Sequence, residues 1–470
     1  MKKILYVAFL LNLCVQVNAQ SVAQKLEETI VQLEADPAFK HAIISLCVVN
    51  TTTGEQVFGR QEQTGLAPAS TQKLFTSAAA YELLGQQFRF YTRIARDQPV
   101  QQGVLNGDLF VVGGGDPTAG SWRWAATKEK AIMDEIISIL HKHKIHTIKG
   151  NIWIDDHSYT QDPLPGGWIW TDMGNYYGAG CWGINWHENQ YDLTLSAGDC
   201  CGGLTTVKNI SPSIPNLQLI NDIRVGKQGS GDNGYIFAAP YSSRAFTSGT
   251  IPANEKSFTI SGSMPHPGLV FGETLKSKMV QGGIKFSGKV QTASGAYLSG
   301  QPLRKPTAVL DSIASPTFDS IKYWFLQKSV NLFGEALLKR IAFEKNGNGN
   351  TDDGASLLRN FWQERGIEKG AINIMDGSGL SPQNRVTTDA LVRVLQFAKG
   401  RPWYNSFYYS LPLYNGMKMK SGSIGGSRAF AGYHTAKDGT KYSFAIIINN
   451  YNGGSGETVK KIYKVLDVLK

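Results

Sequence analysis

Residues 67–85 read APASTQKLFTSAAAYELLG, with Ser70 and Lys73 near the start and Gly85 at the end. A proline just ahead, an alanine-rich run with almost no charge and a glycine behind predict a helix that is apolar nearly all round and therefore buried. Ser70 is expected to open that helix, with Lys73 one turn later on the same face. A serine hydroxyl is a poor nucleophile until a base takes its proton, and a lysine serves as that base where burial and a second cation lower its pKa. The positive end of the helix favours the alkoxide. Ser-x-x-Lys spacings recur by chance in any serine-rich chain. This one stands out because Lys73 sits in a helix too apolar for the surface, where an unused lysine costs stability.

The chain around this stretch has 470 residues, 42% of them hydrophobic and 18% charged, which is enough for two or three domains with a large core and too apolar for disorder. It opens with Met1-Lys2-Lys3, an apolar run from Ile4 to Leu13 and the small-residue segment Val17-Asn18-Ala19. That pattern predicts a secretory signal peptide over residues 1–19, cleaved before Gln20. Cys14 is preceded by the bulky Leu11 and Leu13, unlike a lipoprotein site. No later segment has transmembrane length, so the expected location is the periplasm. Losing Lys2 and Lys3 takes the formal charge from +10 to +8. A basic balance suits an anionic envelope polymer, and the lack of a lysine- or arginine-rich stripe speaks against nucleic acid. In an oxidising compartment a bridge from Cys181 to Cys200 or Cys201, or between Cys200 and Cys201, is open, with Cys47 free in a buried strand.

Residues 21–34 carry apolar positions at helical spacing, and Ile43 to Val49 and Gln56 to Gly59 read as strands. From about residue 95 to 300 the chain turns to short strands, aromatic loops and many glycines. Gly113-Gly114-Gly115-Asp116-Pro117 lacks the Gly-Lys-Ser/Thr of a phosphate loop, so no nucleotide is expected. His141, His143 and His146 have no carboxylate or cysteine at ligand spacing and read as solvated loop residues, with no metal. Trp168, Trp170, Tyr176, Tyr177, Trp182 and Trp186 are read as a packed loop core in preference to a sugar platform. Helix-forming material is expected again from Ala308 to Ser315, then one long helical pattern from Phe318 to Phe343. Strands follow at Met417 to Lys420, Ala429 to Tyr433 and Tyr442 to Asn449. The closing helix, Glu457 to Leu469, is expected to dock its apolar face on the sheet in preference to a membrane.

Three polar sites stand in order: Ser70/Lys73, Ser329/Asn331 and Lys420-Ser421-Gly422. Singly, the second reads as polar helix residues making local bonds and the third as a strand lysine guarding an edge. Together with the signal peptide they resemble the penicillin-recognising serine acyl-transferases, whose motifs are Ser-x-x-Lys, Ser-x-Asn and Lys-Thr-Gly. The closer resemblance is to the low-molecular-mass class C penicillin-binding proteins, the D-alanyl-D-alanine carboxypeptidase/endopeptidase family. It is carried by PASTQK at 68–73, GDLFVVGGGDPT at 107–118, GWIWTDMGNYYGAG at 167–180, SGTIP at 248–252, KSVN at 328–331 and DGSGLS at 376–381.

The resemblance implies an α/β (α+β) fold. Its core is a penicillin-binding-protein/β-lactamase-like transpeptidase domain, an antiparallel sheet with helices on both faces plus a helical part, over 20–95 and 302–470. Two smaller β-rich domains are inserted, one over 96–182 and 246–301, the other over 183–245. It implies a serine DD-peptidase acting on peptidoglycan stem peptides, acylated by β-lactam antibiotics and needing no cofactor. Ser70 is then the nucleophile and Lys73 its base, and Ser329 relays the proton to the leaving amine. Asn331 holds Lys73 and the substrate amide, and Lys420 supplies the field that keeps Lys73 deprotonated. Ser421, Gly422 and Ser423 are placed at the substrate, with the N–H groups of Ser70 and Ser423 as oxyanion donors. Serines at 421 and 423 depart from the usual Lys-Thr-Gly-Thr, keeping the hydroxyl and losing a methyl group. Asp376 and Ser378 are read as turn-formers near the cleft. A β-lactamase or esterase on the same scaffold, or a catalytically silent envelope-binding protein, are the rival readings. Oligomeric state and peripheral association with the envelope stay open.

Overall fold

The computed structural model describes residues 20–470; the expected signal peptide lies outside them. The central element is a six-stranded antiparallel sheet in the order Gln56–Arg60, Ile43–Asn50, Lys441–Asn449, Ser427–Thr435, Met417–Ile424, Leu413–Tyr414. The near-continuous apolar run of Lys441–Asn449 is explained by burial on both sides, since alternate residues of a strand face opposite ways. Phe444, Ile446 and Ile448 pack under the helices Val22–Glu34 and Ser455–Asp467. Ala445 and Ile447 face the other way, toward the helix Thr388–Lys399. Each fully buried isoleucine contributes roughly 1.5–3 kcal/mol. Ile462, Val465 and Leu466 of the last helix lie in the same layer, so its apolar face is covered by the sheet. The first helix starts in a capping box, with Ser21 and Gln24 satisfying each other's backbone N–H groups.

A second sheet runs in the order Val290–Thr292, Ile152–Asp155, Leu109–Val112, Tyr91–Arg96, Ala308–Ala314, with helices Glu129–Lys142 and Pro267–Gln281 packed on it. The helix-forming material expected at Ala308 to Ser315 is therefore a strand. Its antiparallel pairing with Tyr91–Arg96 joins the chain entering this region to the chain leaving it, and that pairing overrides a weak local helix signal. Ala308–Ala314, and Tyr91–Arg96 but for its last residue, fall outside the expected 96–182 and 246–301. Two smaller sheets, built on Gln190–Ser196 and on Arg244–Ile251, enclose a core of Leu193, Leu195, Ile236, Ile251 and Ile260.

Candidate active site

Ser70 does not open an α-helix. It lies in a 3-10 turn, Ala69–Gln72, and the α-helix begins at Lys73. Ala69 takes φ +47°, a left-handed conformation that a residue with a Cβ adopts only under local constraint. Two glycines supply that constraint. A Cβ on Gly422 would stand 2.4 Å from the carbonyl oxygen of Pro68, and one on Gly379, at φ +84°, would stand 2.0 Å from the carbonyl oxygen of Ala69. Only glycine lets the strand Met417–Ile424 and the loop 376–381 close on the Ser70 turn from two sides.

The Nζ of Lys73 is fully buried and lies 2.9 Å from Ser70 Oγ, 2.7 Å from Asn331 Oδ1 and 2.7 Å from the Ser378 carbonyl oxygen. Asn331 Nδ2 donates to the carbonyl of Tyr177 at 2.8 Å, which fixes the amide so that its oxygen faces the lysine. Burial brings the Lys73 pKa down to about 7, while the carboxyl groups of Asp376 and Glu335 pull it the other way. Burial, one of the two causes the sequence suggested, is thus the one that lowers it. Lys420 is itself buried, donates to the Ser421 carbonyl at 2.9 Å, and is held well below the ordinary lysine range by burial and then by the charge of Lys73. Two buried amines that repel each other's protons disfavour the doubly charged state.

The long helical pattern from Phe318 to Phe343 is broken into Phe318–Gln327 and Asn331–Asn346. Ser329 sits in the break at φ +59°, which turns the chain so that Ser329 and Asn331 both reach the cleft. The periodicity ran through the break because apolar residues continue on both sides of it. The cleft has a volume of about 1010 Å³ and is lined by Ser70, Ser329, Asn331 and Ser423 together. Ser421 and Gly422 lie on the same strand as Lys420 and Ser423.

Asp376 is more than a turn-former. Wholly buried, its carboxyl accepts from Gln72 Nε2, Asn384 Nδ2, Trp168 Nε1 and the N–H groups of Gly379 and Ser381, all at 2.7–3.0 Å. Five donors stabilise a carboxylate that no cation touches. Successive carbonyls of the same loop are held as well. Asp376 accepts from Gln72, Gly377 from Thr76 Oγ1 at 2.8 Å and Ser378 from Lys73.

Glu335 was not singled out from the sequence. It is buried in Asn331–Asn346 and accepts from the Gly377 N–H at 3.0 Å. Burial, and next the Asp376 charge, push its pKa up to about 8. The signal was present, because a lone acid inside LFGEALL is as anomalous as a lysine inside an alanine helix.

Of the aromatic run, Trp168, Trp182 and Trp186 are buried as expected, whereas Trp170 and Tyr176 are exposed. Trp168 pins this loop to Asp376, and Lys339 donates to the carbonyls of Asp162 and Cys181 at 2.7 and 3.1 Å. Cys181 is buried and Cys200 and Cys201 are exposed, all of them free like Cys47, so no bridge joins Cys181 to the pair. Among the described residues no group of three or more His, Cys, Asp or Glu side chains is arranged for a metal ion.

Residues 25–469 match the model of the D-Ala-D-Ala carboxypeptidase 3 (S13) family. The chain is 27% identical to the D-alanyl-D-alanine carboxypeptidase of Actinomadura sp. strain R39, over 91% of this chain and 82% of that protein. It is 24% identical to the D-alanyl-D-alanine carboxypeptidase DacB of Haemophilus influenzae, over 97% and 93%. The crystal structure of penicillin binding protein 4 from Haemophilus influenzae superimposes with a TM-score of 0.78 at 21% identity, covering 94% of this chain and 97% of that one. A buried amine at hydrogen-bonding distance from a cleft serine, in a fold shared with a penicillin-binding protein, agrees with the match along nearly the whole chain: the protein belongs to the D-Ala-D-Ala carboxypeptidase 3 (S13) family and is a D-Ala-D-Ala carboxypeptidase.

Proposed function

We propose that the protein is a periplasmic serine DD-peptidase that cleaves the D-Ala-D-Ala terminus of peptidoglycan stem peptides through an acyl-enzyme on Ser70. One observation carries this reading: the company Lys73 keeps. A neutral amine has two N–H donors and one lone pair. Asn331 Oδ1 and the Ser378 carbonyl are acceptors only and take the two donors. The lone pair is left for the Ser70 hydroxyl, 2.9 Å away. With a pKa of about 7, a large fraction of Lys73 is in that form at neutral pH.

Ser70 Oγ adds to the carbonyl of the penultimate D-alanine as its proton passes to Lys73. The oxyanion falls to the N–H groups of Ser70 and Ser423. The C–N bond then breaks, with Ser329 returning the proton to the departing amine. Ser421 and Ser423 hold the terminal carboxylate, Lys420 supplies the field beside Lys73, and the packing of Gly422 against Pro68 and Ser70 keeps that strand in register with the nucleophile. Water, activated by the same lysine, hydrolyses the ester and restores Ser70.

A cleft of about 1010 Å³ leaves room for a leaving group larger than D-alanine, which supports cleavage of D-Ala-diaminopimelate cross-links as well. The signal-peptide pattern over residues 1–19 supports the periplasmic location. Penicillin binding protein 4 of Haemophilus influenzae has been crystallised with a β-lactam, and acylation by β-lactams is proposed for this chain too.

Incubation with a fluorescent penicillin tests the reading, with intact mass as readout. Wild type gains one adduct and Ser70→Ala gains none. An adduct on Ser70→Ala sinks the assignment. Fast release of hydrolysed penicillin with no turnover of a D-Ala-D-Ala peptide would turn it toward a β-lactamase.

A further inference from the structure

On the small sheet built around Arg244–Ile251, the strands Gln218–Ile220 and Asn233–Ala238 flank the central strand, and the register sets Ile220 opposite Phe246 and Phe246 opposite Phe237. Ala245, Thr247, Ile236 and Ala238 point inward and are buried, so Ile220, Phe246, Phe237 and Tyr235 point outward. Phe237 and Phe246 stack with centroids 4.8 Å apart and planes at 8°. Trp170 extends the row at 5.8 Å from Phe237, and Tyr235 lies 6.5 Å from it. Ile220 is 67% exposed, Trp170 46%, Tyr235 44% and Phe246 43%. Soluble proteins do not leave a joined set of rings in water without a use for it.

Two features say what the use is. Tyr235 and Phe237 also line the catalytic cleft, so the row begins at the mouth of the Ser70 site and runs outward from it. On the same outward face, the register interleaves the rings with hydrogen-bonding side chains. Gln218 pairs with Arg244, Tyr235 with Ser248 and Asn233 with Thr250.

Flat exposed rings beside amide, hydroxyl and guanidinium groups suit a sugar chain, whose pyranose faces are C–H surfaces edged by hydroxyl and acetamide groups. A purely apolar partner would leave those polar groups unpaired. We propose that this face binds the glycan strand of peptidoglycan, a β-linked amino-sugar polymer, while a stem peptide branching from the strand enters the cleft. The proposal rests on the peptidase reading above. The expected packed core at Trp168 to Trp186 is thus divided, with its exposed member Trp170 joining the sugar-facing row.

The test uses the full chain and two variants of residues outside the cleft, Phe246→Ala with Ile220→Ser, and Phe246→Leu. Phe246→Leu keeps apolar area and removes the flat ring. Co-sedimentation with purified sacculi is measured alongside D-alanine release from a glycan-free pentapeptide and from glycan-attached pentapeptide. Both variants are expected to lose roughly tenfold in sacculus binding and in release from glycan-attached substrate, about the worth of one or two ring contacts. Their activity on the free peptide and their penicillin acylation should stay at the wild-type level.

Equal losses on both substrates would make the patch part of the peptide site, and no loss on either would remove the glycan; each overturns the proposal. So does a wild-type dimer in sedimentation velocity, or binding to phosphatidylglycerol vesicles, that the variants abolish. If wild type turns over neither peptide, the peptidase reading fails while sacculus binding still reports on this face.

Discussion

Lys73 and Ser378, 305 positions apart in sequence, meet at 2.7 Å, the lysine nitrogen donating to the serine's backbone carbonyl. The contact matters because of what flanks it. Gln72 and Thr76 of the same helical segment hold the two preceding carbonyls of the loop, so the lysine's acceptor is fixed by three parallel bonds. A base held in this way keeps its lone pair aimed at one atom, and the cost of orienting it is met in folding rather than at each turnover.

The first consequence is a pH profile. Burial favours the uncharged form of Lys73, which is the form that accepts the Ser70 proton. Below its pKa of about 7 the rate constant for penicillin acylation should fall tenfold per pH unit, and above it reach a plateau. Stopped-flow acylation between pH 5 and pH 9 measures it. A flat profile would remove Lys73 from the base role.

Asn331→Asp tests the same arrangement from the other side. A carboxylate 2.7 Å from Nζ stabilises the ammonium, so the Lys73 pKa must rise and the acylation profile must move to higher pH. Each unit of that shift removes about tenfold of the rate at neutral pH. Asn331→Ala should lose activity without the alkaline shift, which separates the charge effect from loss of the contact.

These residues also mark how far the sequence could be read. Lys73 was legible because a lysine contradicts its alanine-rich surroundings. Ser70, Asn331 and Lys420 were legible because three short motifs in order leave few alternatives. The sheet strands were legible from alternation and apolar runs. The break at Ser329 was not, since φ +59° leaves no mark on hydrophobic periodicity. Nor was the strand Ala308–Ala314, whose partner lies more than 200 residues earlier, because pairing of that kind is a tertiary decision. Glu335 and the five-donor carboxylate of Asp376 escaped for a third reason. Their partners lie far off in the chain, Gly377 for Glu335 and Gln72 and Trp168 among those of Asp376, so neither carboxyl belongs to a short motif.

Glu335 gives a stability prediction with a definite sign. Its folded pKa is raised from the ordinary 4.5 to about 8, so between those values the folded protein holds a proton that the unfolded chain has released. Stability from this group is fully present at low pH and is lost as the pH climbs toward 8. Glu335→Gln mimics the protonated acid and cannot lose it. Thermal unfolding should show the variant gaining on wild type as the pH rises from 5 to 9, with near equality at the acid end. A constant difference across that range would mean that the carboxyl titrates normally in the folded state.

Trp168→Phe isolates the bond between the aromatic loop and the catalytic core. The indole N–H reaches Asp376 Oδ2 at 2.9 Å, both groups are buried, and phenylalanine retains most of the ring's packing while removing the donor. Oδ2 then keeps one partner, the Ser381 N–H at 2.7 Å. Loss of a donor to a buried charged acceptor should cost about 1–3 kcal/mol of stability. The functional effect should exceed that of a generally loosened protein. Asp376 anchors the loop whose Ser378 carbonyl orients Lys73, and the tryptophan's own loop carries the Tyr177 carbonyl that orients Asn331. Acylation should therefore slow at its pH plateau, where the fraction of neutral Lys73 is already complete, while the midpoint of the profile stays near that of wild type. A shifted midpoint with an unchanged plateau would show that Trp168 acts on the charge of Lys73 and not on its aim.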